Sequence, residues 1–319
     1  MRRKKFQTTL YKKRTIRQFT KSILNVSLVG ALLLLLGFVF LKGVLGIGQF
    51  IGSRVYDRFL PQEPKENGTL IRDTSGIVDY LLQETSKQEG VWGVYVYNVS
   101  DRTVYGLNEQ RSFTAASVNK IPILLFFLTE VDKGTLLKET VYTLQINDIQ
   151  DYGTGTLRYQ NPGSTYTVWE LARFMMTYSD NTASYVLANM LGREKLQQFL
   201  NDQGYLTTVI QENTTTPLDI GRMLSDIYTG KYGSFVKKEA LSMMNHPEKE
   251  DRLPVLLPKD VTVLHKDGTQ VGAIHDAGVV LLPRRPYVVV ILSEEVRDEA
   301  KATQFIQTLS KIIFEFESS

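Results

Sequence analysis

Hydrophobic and polar positions divide this chain of 319 residues into regions of different character. Residues 22–41 form a run of 20 without a single charge, bounded by Lys21 and Lys42. At a rise of 1.5 Å per residue that is about 30 Å of helix, the thickness of a bilayer's hydrocarbon core. Residues 53–68 (SRVYDRFLPQEPKENG) lose all periodicity, carry Pro61, Pro64 and mixed charge, and read as a linker. Beyond them helical and strand patterns alternate to the end. The predicted organisation is a basic tail over 1–21, a transmembrane anchor over 22–52, the linker over 53–68 and one folded domain over 69–319.

Within that domain Ile77, Val78, Leu81 and Leu82 share one face and predict a helix near 75–88. Residues 91–99 (VWGVYVYNV) and 103–107 read as strands joined by the polar turn Ser100-Asp101-Arg102. Residues 117–131 contain IPILLFFL, apolar on every side, which predicts a helix buried in the middle of the domain with Pro122 near its start. Thr167-Val168-Trp169-Glu170 is a capping box for a helix that breaks at Ser179-Asp180-Asn181 and restarts to Gly192. Thr216-Pro217 supplies a cap and a first-turn proline for another. Strands are predicted at 261–265, 273–282 and 287–292. A final helix follows at 296–316, with Phe305, Ile306, Leu309, Ile312, Ile313 and Phe316 on one face. The order predicts a mixed α/β (α+β) fold. The first two and last three strands make a five-stranded antiparallel sheet flanked by the terminal helices. The central helices form an all-helical lobe, with a cleft between the two.

Charge sharpens the picture. The net charge of +3 conceals eleven Lys/Arg and no acid in residues 1–56, leaving 26 bases against 34 acids, a net of −8, in the rest. Nine of the bases precede the apolar run, which places the N-terminus in the cytoplasm and residues from about 54 onward outside. The expected location is the cell membrane, single-pass, with the folded domain extracytoplasmic. A cleaved signal peptide is the alternative, but the run is longer than a signal's apolar segment and no A-x-A site follows it. The acidic domain argues against nucleic acid as a partner. Cysteine is absent, which excludes disulfides, a thiol nucleophile and a lipid-modified cysteine. The domain is expected to be a monomer without a cofactor.

Three clusters carry the candidate chemistry, in the order Ser117-Val118-Asn119-Lys120, Ser179-Asp180-Asn181 and Lys266-Asp267-Gly268. Three residues apart on a helix, Ser117 and Lys120 share a face, so the amine reaches the hydroxyl. An alcohol needs a base to become a nucleophile, and a lysine near its free pKa of about 10.4 cannot serve at neutral pH. Burial and a second cation, for which Lys266 is placed, push that value down. Ser179 can relay a proton to a leaving group, the Asn181 amide can hold a substrate carbonyl, and Lys266 can attract a substrate carboxylate. Gly268 lets a backbone approach closely, and the N–H of Thr269 can serve as an oxyanion donor with that of Ser117.

Blander readings stand beside these. Ser-Asp-Asn is also an ordinary helix-breaking turn, and Lys266 also a solvated strand lysine. A second S-x-x-K, Ser234-Phe235-Val236-Lys237, follows a Gly-rich turn with no S-D-N after it and reads as chance. The histidines His246, His265 and His275 lie outside any G-x-S-x-G context and lack metal-ligand spacing, so neither a histidine triad nor a metal site is expected.

Phe113-Thr114-Ala115-Ala116-Ser117-Val118-Asn119-Lys120 and Tyr178-Ser179-Asp180-Asn181-Thr182-Ala183 resemble the first two motifs of the class A β-lactamase family, within the penicillin-recognising serine enzymes. Thr214-Thr215-Thr216-Pro217 resembles the end of that family's Ω loop, and His275-Asp276-Ala277-Gly278-Val279 the strand after its third motif. The resemblance implies Ser117 as acylated nucleophile, Lys120 as general base, and Ser179 and Lys266 as proton relay and anion site. It implies Asn181 as substrate contact and the Ser117 and Thr269 N–H groups as oxyanion hole. The substrate it implies is a β-lactam or a peptidoglycan-like peptide. The chain departs twice from the family pattern. Residues 200–213 (LNDQGYLTTVIQEN) lack the E-x-x-L-N glutamate that activates the deacylating water, and Asp267 stands where Thr or Ser is usual. A membrane-anchored serine hydrolase with slow deacylation is therefore expected. The alternatives are a non-hydrolytic β-lactam or peptidoglycan-binding protein, acting as sensor or assembly factor, and a membrane protein with a relict site.

Overall fold

The computed structural model describes residues 72–319 apart from His246. The predicted tail, the apolar span, the linker and the first residues assigned to the domain lie outside the described residues. No helix among the described residues is long and apolar enough to cross a membrane.

Helix α1, Ser75–Ser86, leads into strands β1, Val91–Asn98, and β2, Val104–Leu107. The chain then crosses through a helical region and returns as β7, Val263–Gln270, β8, Ala273–Val280, β9, Tyr287–Glu294, and the final helix α8, Glu299–Ser318. The five long strands form one sheet in the order β2-β1-β9-β8-β7, antiparallel throughout. The first two and last three strands thus share one antiparallel sheet, as the sequence pattern predicts, and first and last segments of the domain meet in its middle. Helices α1 and α8 cover one face. Ile77, Leu81, Trp92, Val94, Val289, Phe305, Ile306 and Leu309 are buried between them, with Trp92 and Phe305 edge-on at 4.7 Å. Each such side chain contributes about 1.5–3 kcal/mol by leaving water.

The helical lobe is built on α2, Lys120–Asp132, in which every residue from Lys120 to Leu128 is buried. An all-apolar helix is stable only when neighbours surround it. Those neighbours are α3, Val168–Thr177, α4, Asn181–Leu191, α5, Arg193–Asp202, α6, Pro217–Thr229, and α7, Gly233–Met243. Short two-stranded pairings add β3, Phe113–Thr114, with β6, Thr214–Thr215, and β4, Val141–Thr143, with β5, Thr165–Thr167. Helix α6 joins lobe to sheet. Its Gly221 sits against the ring of Tyr95 on β1, where any Cβ would collide with the ring.

Several boundaries differ from the sequence reading. Leu82, assigned to the buried face of α1, is exposed. The strand expected at 261–265 runs instead from Val263 to Gln270, because backbone pairing with β8 carries the polar run Lys266-Asp267-Gly268-Thr269 into the sheet. The last helix starts at Glu299 rather than 296, since the Asp298 side chain accepts the Lys301 N–H and sets the cap there. Helices α5 and α7 were missed. Ser234 and Lys237 of the second S-x-x-K lie on α7.

Candidate active site

Ser117 lies on a single 3-10 turn, Ala116–Asn119, immediately before α2. In a 3-10 turn residues i and i+3 eclipse, so Ser117 and Lys120 are aligned more closely than on an α-helix. Ala116, next to the nucleophile, has φ of 46°, a strained value for a residue with a side chain. The surrounding structure holds it there. Ala115 donates its N–H to Asn213 O at 2.7 Å, and Asn119 Nδ2 donates to Asn213 Oδ1 at 3.0 Å.

Ser179, Asp180 and Asn181 form the break between α3 and α4. The capping box at Thr167 and Glu170 starts α3 as predicted. The helix ends at Thr177 with Tyr178 as its C-terminal cap, and Ser179 takes φ of 51°. Asp180 caps α4 through the Ala183 N–H at 2.9 Å, and its other oxygen accepts the N–H groups of Thr156 (2.6 Å) and Leu157 (2.8 Å). The bland reading of this motif as a capped break is thus true of Asp180. It is also what aims Ser179 and Asn181 at the lysine.

The Lys120 amine is the centre of the arrangement. Nζ lies 2.8 Å from Ser117 Oγ, 3.1 Å from Ser179 Oγ, 2.8 Å from Ser179 O and 2.8 Å from Asn181 Oδ1. The last two are acceptors only. A neutral amine has two N–H donors and one lone pair, so donating to Ser179 O and Asn181 Oδ1 leaves the lone pair for a hydroxyl. The environment favours that form. Burial, and then the charge of Lys266, lower the Lys120 pKa from 10.5 to about 7.

Strand β7 is the edge of the sheet and runs past this turn. A Cβ on Gly268 would lie 3.1 Å from Val118 Cγ2, 3.2 Å from His275 Cδ2 and 3.3 Å from Ser117 N, so glycine is what admits the close approach. Thr269 lines the cleft next to Ser117. Lys266 is fully buried, and its amine donates to Asp267 Oδ1 at 2.5 Å and Asp267 O at 3.0 Å. It therefore acts on Lys120 through charge, and its amine is held by Asp267 rather than standing free toward a substrate carboxylate. Burial would raise the Asp267 pKa, but Lys266, Arg252 and Lys249 outweigh it and hold the carboxyl below its ordinary value.

The cleft is narrow and is lined by Ser117, Thr154, Thr177, Tyr178, Ser179, Glu248, Lys249, Asp267 and Thr269. A second, shallower hollow at Glu89, Gly90, Glu295, Val296 and Arg297 brings together no nucleophile and base. No group of acidic, histidine or cysteine side chains among the described residues is arranged to hold a metal ion.

The sequence model of the beta-lactamase enzyme family matches residues 77–316. The chain belongs to that family. Beta-lactamase VEB-1 of Pseudomonas aeruginosa is 25% identical over 252 residues, covering 70% of this chain and 84% of that protein. The structure of PBP-A superposes with a TM-score of 0.74 at 28% identity, over 78% of this chain and 98% of that one. An ancestral class A beta-lactamase superposes with a TM-score of 0.70 at 25% identity, over 75% and 99%. The chain is thus a serine hydrolase of the beta-lactamase type, with a penicillin-recognising serine enzyme fold.

In this beta-lactamase fold some residues of the site escaped the sequence reading. Arg252 is buried, donating to Gly268 O at 2.8 Å, His275 O at 2.6 Å and Thr269 Oγ1 at 2.6 Å, and so braces the strand beside the nucleophile. It ends the charged run Glu248-Lys249-Glu250-Asp251-Arg252, which gives no sign of burial. His275 braces the same place. Its Nε2–H donates to Thr114 O at 2.7 Å and its Nδ1 accepts the Ser293 N–H at 3.1 Å. Burial lowers its pKa to about 4, so it is neutral. His265 is paired with Asp276 at 2.9 Å in the interior, away from Ser117. Neither described histidine is placed as a base for Ser117, in agreement with the sequence reading.

Proposed function

We propose that this chain is a membrane-anchored, extracytoplasmic serine hydrolase whose Ser117 is acylated by β-lactams or cell-wall-like peptides and releases the acyl group slowly. The observation that carries the reading is the buried Lys120 amine, 2.8 Å from Ser117 Oγ, with a pKa near 7. As Oγ attacks the carbonyl carbon, its proton passes to Lys120 Nζ and the new C–O bond forms. The Ser117 and Thr269 N–H groups stabilise the oxyanion. When the C–N bond breaks, Ser179 Oγ–H protonates the leaving nitrogen and recovers its proton from Lys120, 3.1 Å away. Asn181 holds both the amine and the substrate carbonyl. Lys266 tunes Lys120 through its charge, and no cofactor is needed.

A variant of PBP-A has been solved as an acyl-enzyme complex with penicillin G, which supports a β-lactam as acyl donor for this related fold. Slow release is favoured by residues 203–213, where the one carboxylate, Glu212, is exposed. The same observation favours the second reading, a binding protein that traps its ligand. The uncharged span at 22–41 and the bases before it support the anchor.

The test is intact mass of the full-length chain in mild detergent, followed over time with a fluorescent penicillin. An adduct that forms and then decays with product supports the slow hydrolase, and a persistent one the trap. Absence of an adduct on the wild type, or an unchanged adduct on Ser117→Ala, refutes both.

A further inference from the structure

Asp267 lines the cleft with Ser117, Ser179 and Thr269, while Lys266 behind it is fully buried. The Lys266 amine lies 2.5 Å from one Asp267 oxygen, and the Arg252 guanidinium 3.9 Å from the other. Arg252 is also committed to Gly268 O, His275 O and Thr269 Oγ1. The exposed Lys249 at the rim lies within electrostatic reach of the same carboxylate, beside the exposed Glu248. The cations next to the nucleophile are thus already matched by an anion of the chain itself. We propose that Asp267 sets the substrate class: its carboxylate occupies the place of a substrate carboxylate, so the cleft takes acyl donors whose group at that position is neutral, an ester or an amide. A carboxylate entering there would face Asp267 at close range in a partly dry cleft, where like charges repel strongly. A neutral carbonyl can instead accept from the rim without displacing the pair.

The inference rests on acylation at Ser117, and its test separates the two. Second-order acylation rates are measured at pH 7 by intact mass, on the full-length chain in detergent, with benzylpenicillin and with its methyl ester. These probes share the reactive ring and differ in one charge. The wild type is expected to react faster with the ester. Asp267→Asn keeps the shape and removes the charge, and Asp267→Thr supplies a hydroxyl. Each is expected to raise the ratio of the acid rate to the ester rate at least about tenfold, an effect on the scale of one partly screened charge pair. A wild type that prefers the acid tenfold, or variants that change both probes equally, would overturn the role of Asp267 and leave acylation standing. No adduct with either probe on any of the three proteins would overturn acylation as well.

A second readout excludes a merely structural role. The charged groups acting on Lys120 are Lys266, Asp267 and Asp180. Without the Asp267 charge the acid limb of the acylation rate should move to lower pH. A limb that stays in place in Asp267→Asn, or moves upward, counts against the proposal.

Discussion

If Lys120 is the base for Ser117, acylation must switch on with the loss of one proton from that amine. A lysine with its ordinary value of 10.5 is free to the extent of about one part in 3,000 at pH 7, whereas one near 7 is half free. The gain in competent enzyme is about 1,500-fold, corresponding to about 4 kcal/mol. Burial supplies most of it, and Lys266 adds to it through its charge. The acylation rate measured by stopped flow should therefore rise about tenfold per pH unit below 7 and level off above it. Lys266→Met removes the second cation and leaves Asp267 unpaired, and both changes favour the ammonium. Its limb should move to higher pH, with less acylation at pH 7. Lys120→Ala should lose about 10²–10⁴-fold in rate and the limb with it. A limb unchanged in Lys120→Ala, or a rate still climbing tenfold per unit between pH 8 and 10 in the wild type, would refute the assignment of Lys120 as base.

The same burial is a cost to the fold. Below pH 7 the native state must hold a buried ammonium, and the strain is relieved as pH rises from about 7 to 10.5 because only the unfolded chain stays protonated there. Lys120→Met should be inactive yet more stable than the wild type at pH 6, by about 1–3 kcal/mol in urea denaturation once its lost hydrogen bonds are counted. Gly268→Ala should press on Val118, His275 and the Ser117 N–H, lowering acylation at least about tenfold for a stability loss of about 1–3 kcal/mol, read by acylation rate and thermal melting. His275 is neutral in the fold, with a pKa of about 4 against 6.5 when free, so the unfolded chain binds the extra proton between those values. That part of the stability is lost as pH falls from 6.5 to 4. His275→Gln should flatten that part of the curve in urea melts at pH 4, 5 and 6.5.

Much of this arrangement is legible in the sequence because local rules and tertiary need agree. The run IPILLFFL reads as a buried helix and is one, Thr167 and Glu170 cap the helix they open, and Thr216-Pro217 caps a later one. The order of the serine, lysine and asparagine motifs identifies residues that do converge on one amine. What stayed hidden depends on partners distant in the chain. Nothing near Arg252 shows that its guanidinium will be buried against Gly268 and His275. The strand through Lys266 and Asp267 looks too polar to be interior, and it becomes so because those two side chains neutralise each other. Residues 193–202 hold only two fully buried side chains, Leu196 and Leu200, too few to stand out as a helix by pattern.

The two departures from the family pattern bear on opposite ends of one reaction. On the proposed reading, entry of the acyl donor is governed by Asp267, which already answers Lys266. Exit of the acyl group needs a base that delivers water to the carbonyl after the leaving nitrogen has gone. Among the described residues the carboxylates near Ser117 are committed elsewhere. Asp180 accepts three backbone N–H groups, and Asp267 is bound to Lys266. Asp219, buried just after the Thr214-Thr215-Thr216 stretch, accepts from Thr207 and Thr208 and so fixes the preceding loop. Glu248 stands exposed at the rim, where water solvates it in place of a substrate-bound nucleophile. Lys120 can regain its free amine after acylation, but its two N–H donors remain directed at Ser179 O and Asn181 Oδ1. With those donors so placed, its lone pair is left for Ser117 Oγ, 2.8 Å away, the atom that would carry the acyl group. The base that forms the ester is thus poorly aimed at a water on the ester's far side. On the proposed mechanism, acylation and release draw on different parts of the cleft, and the residues gathered round Lys120 serve the first.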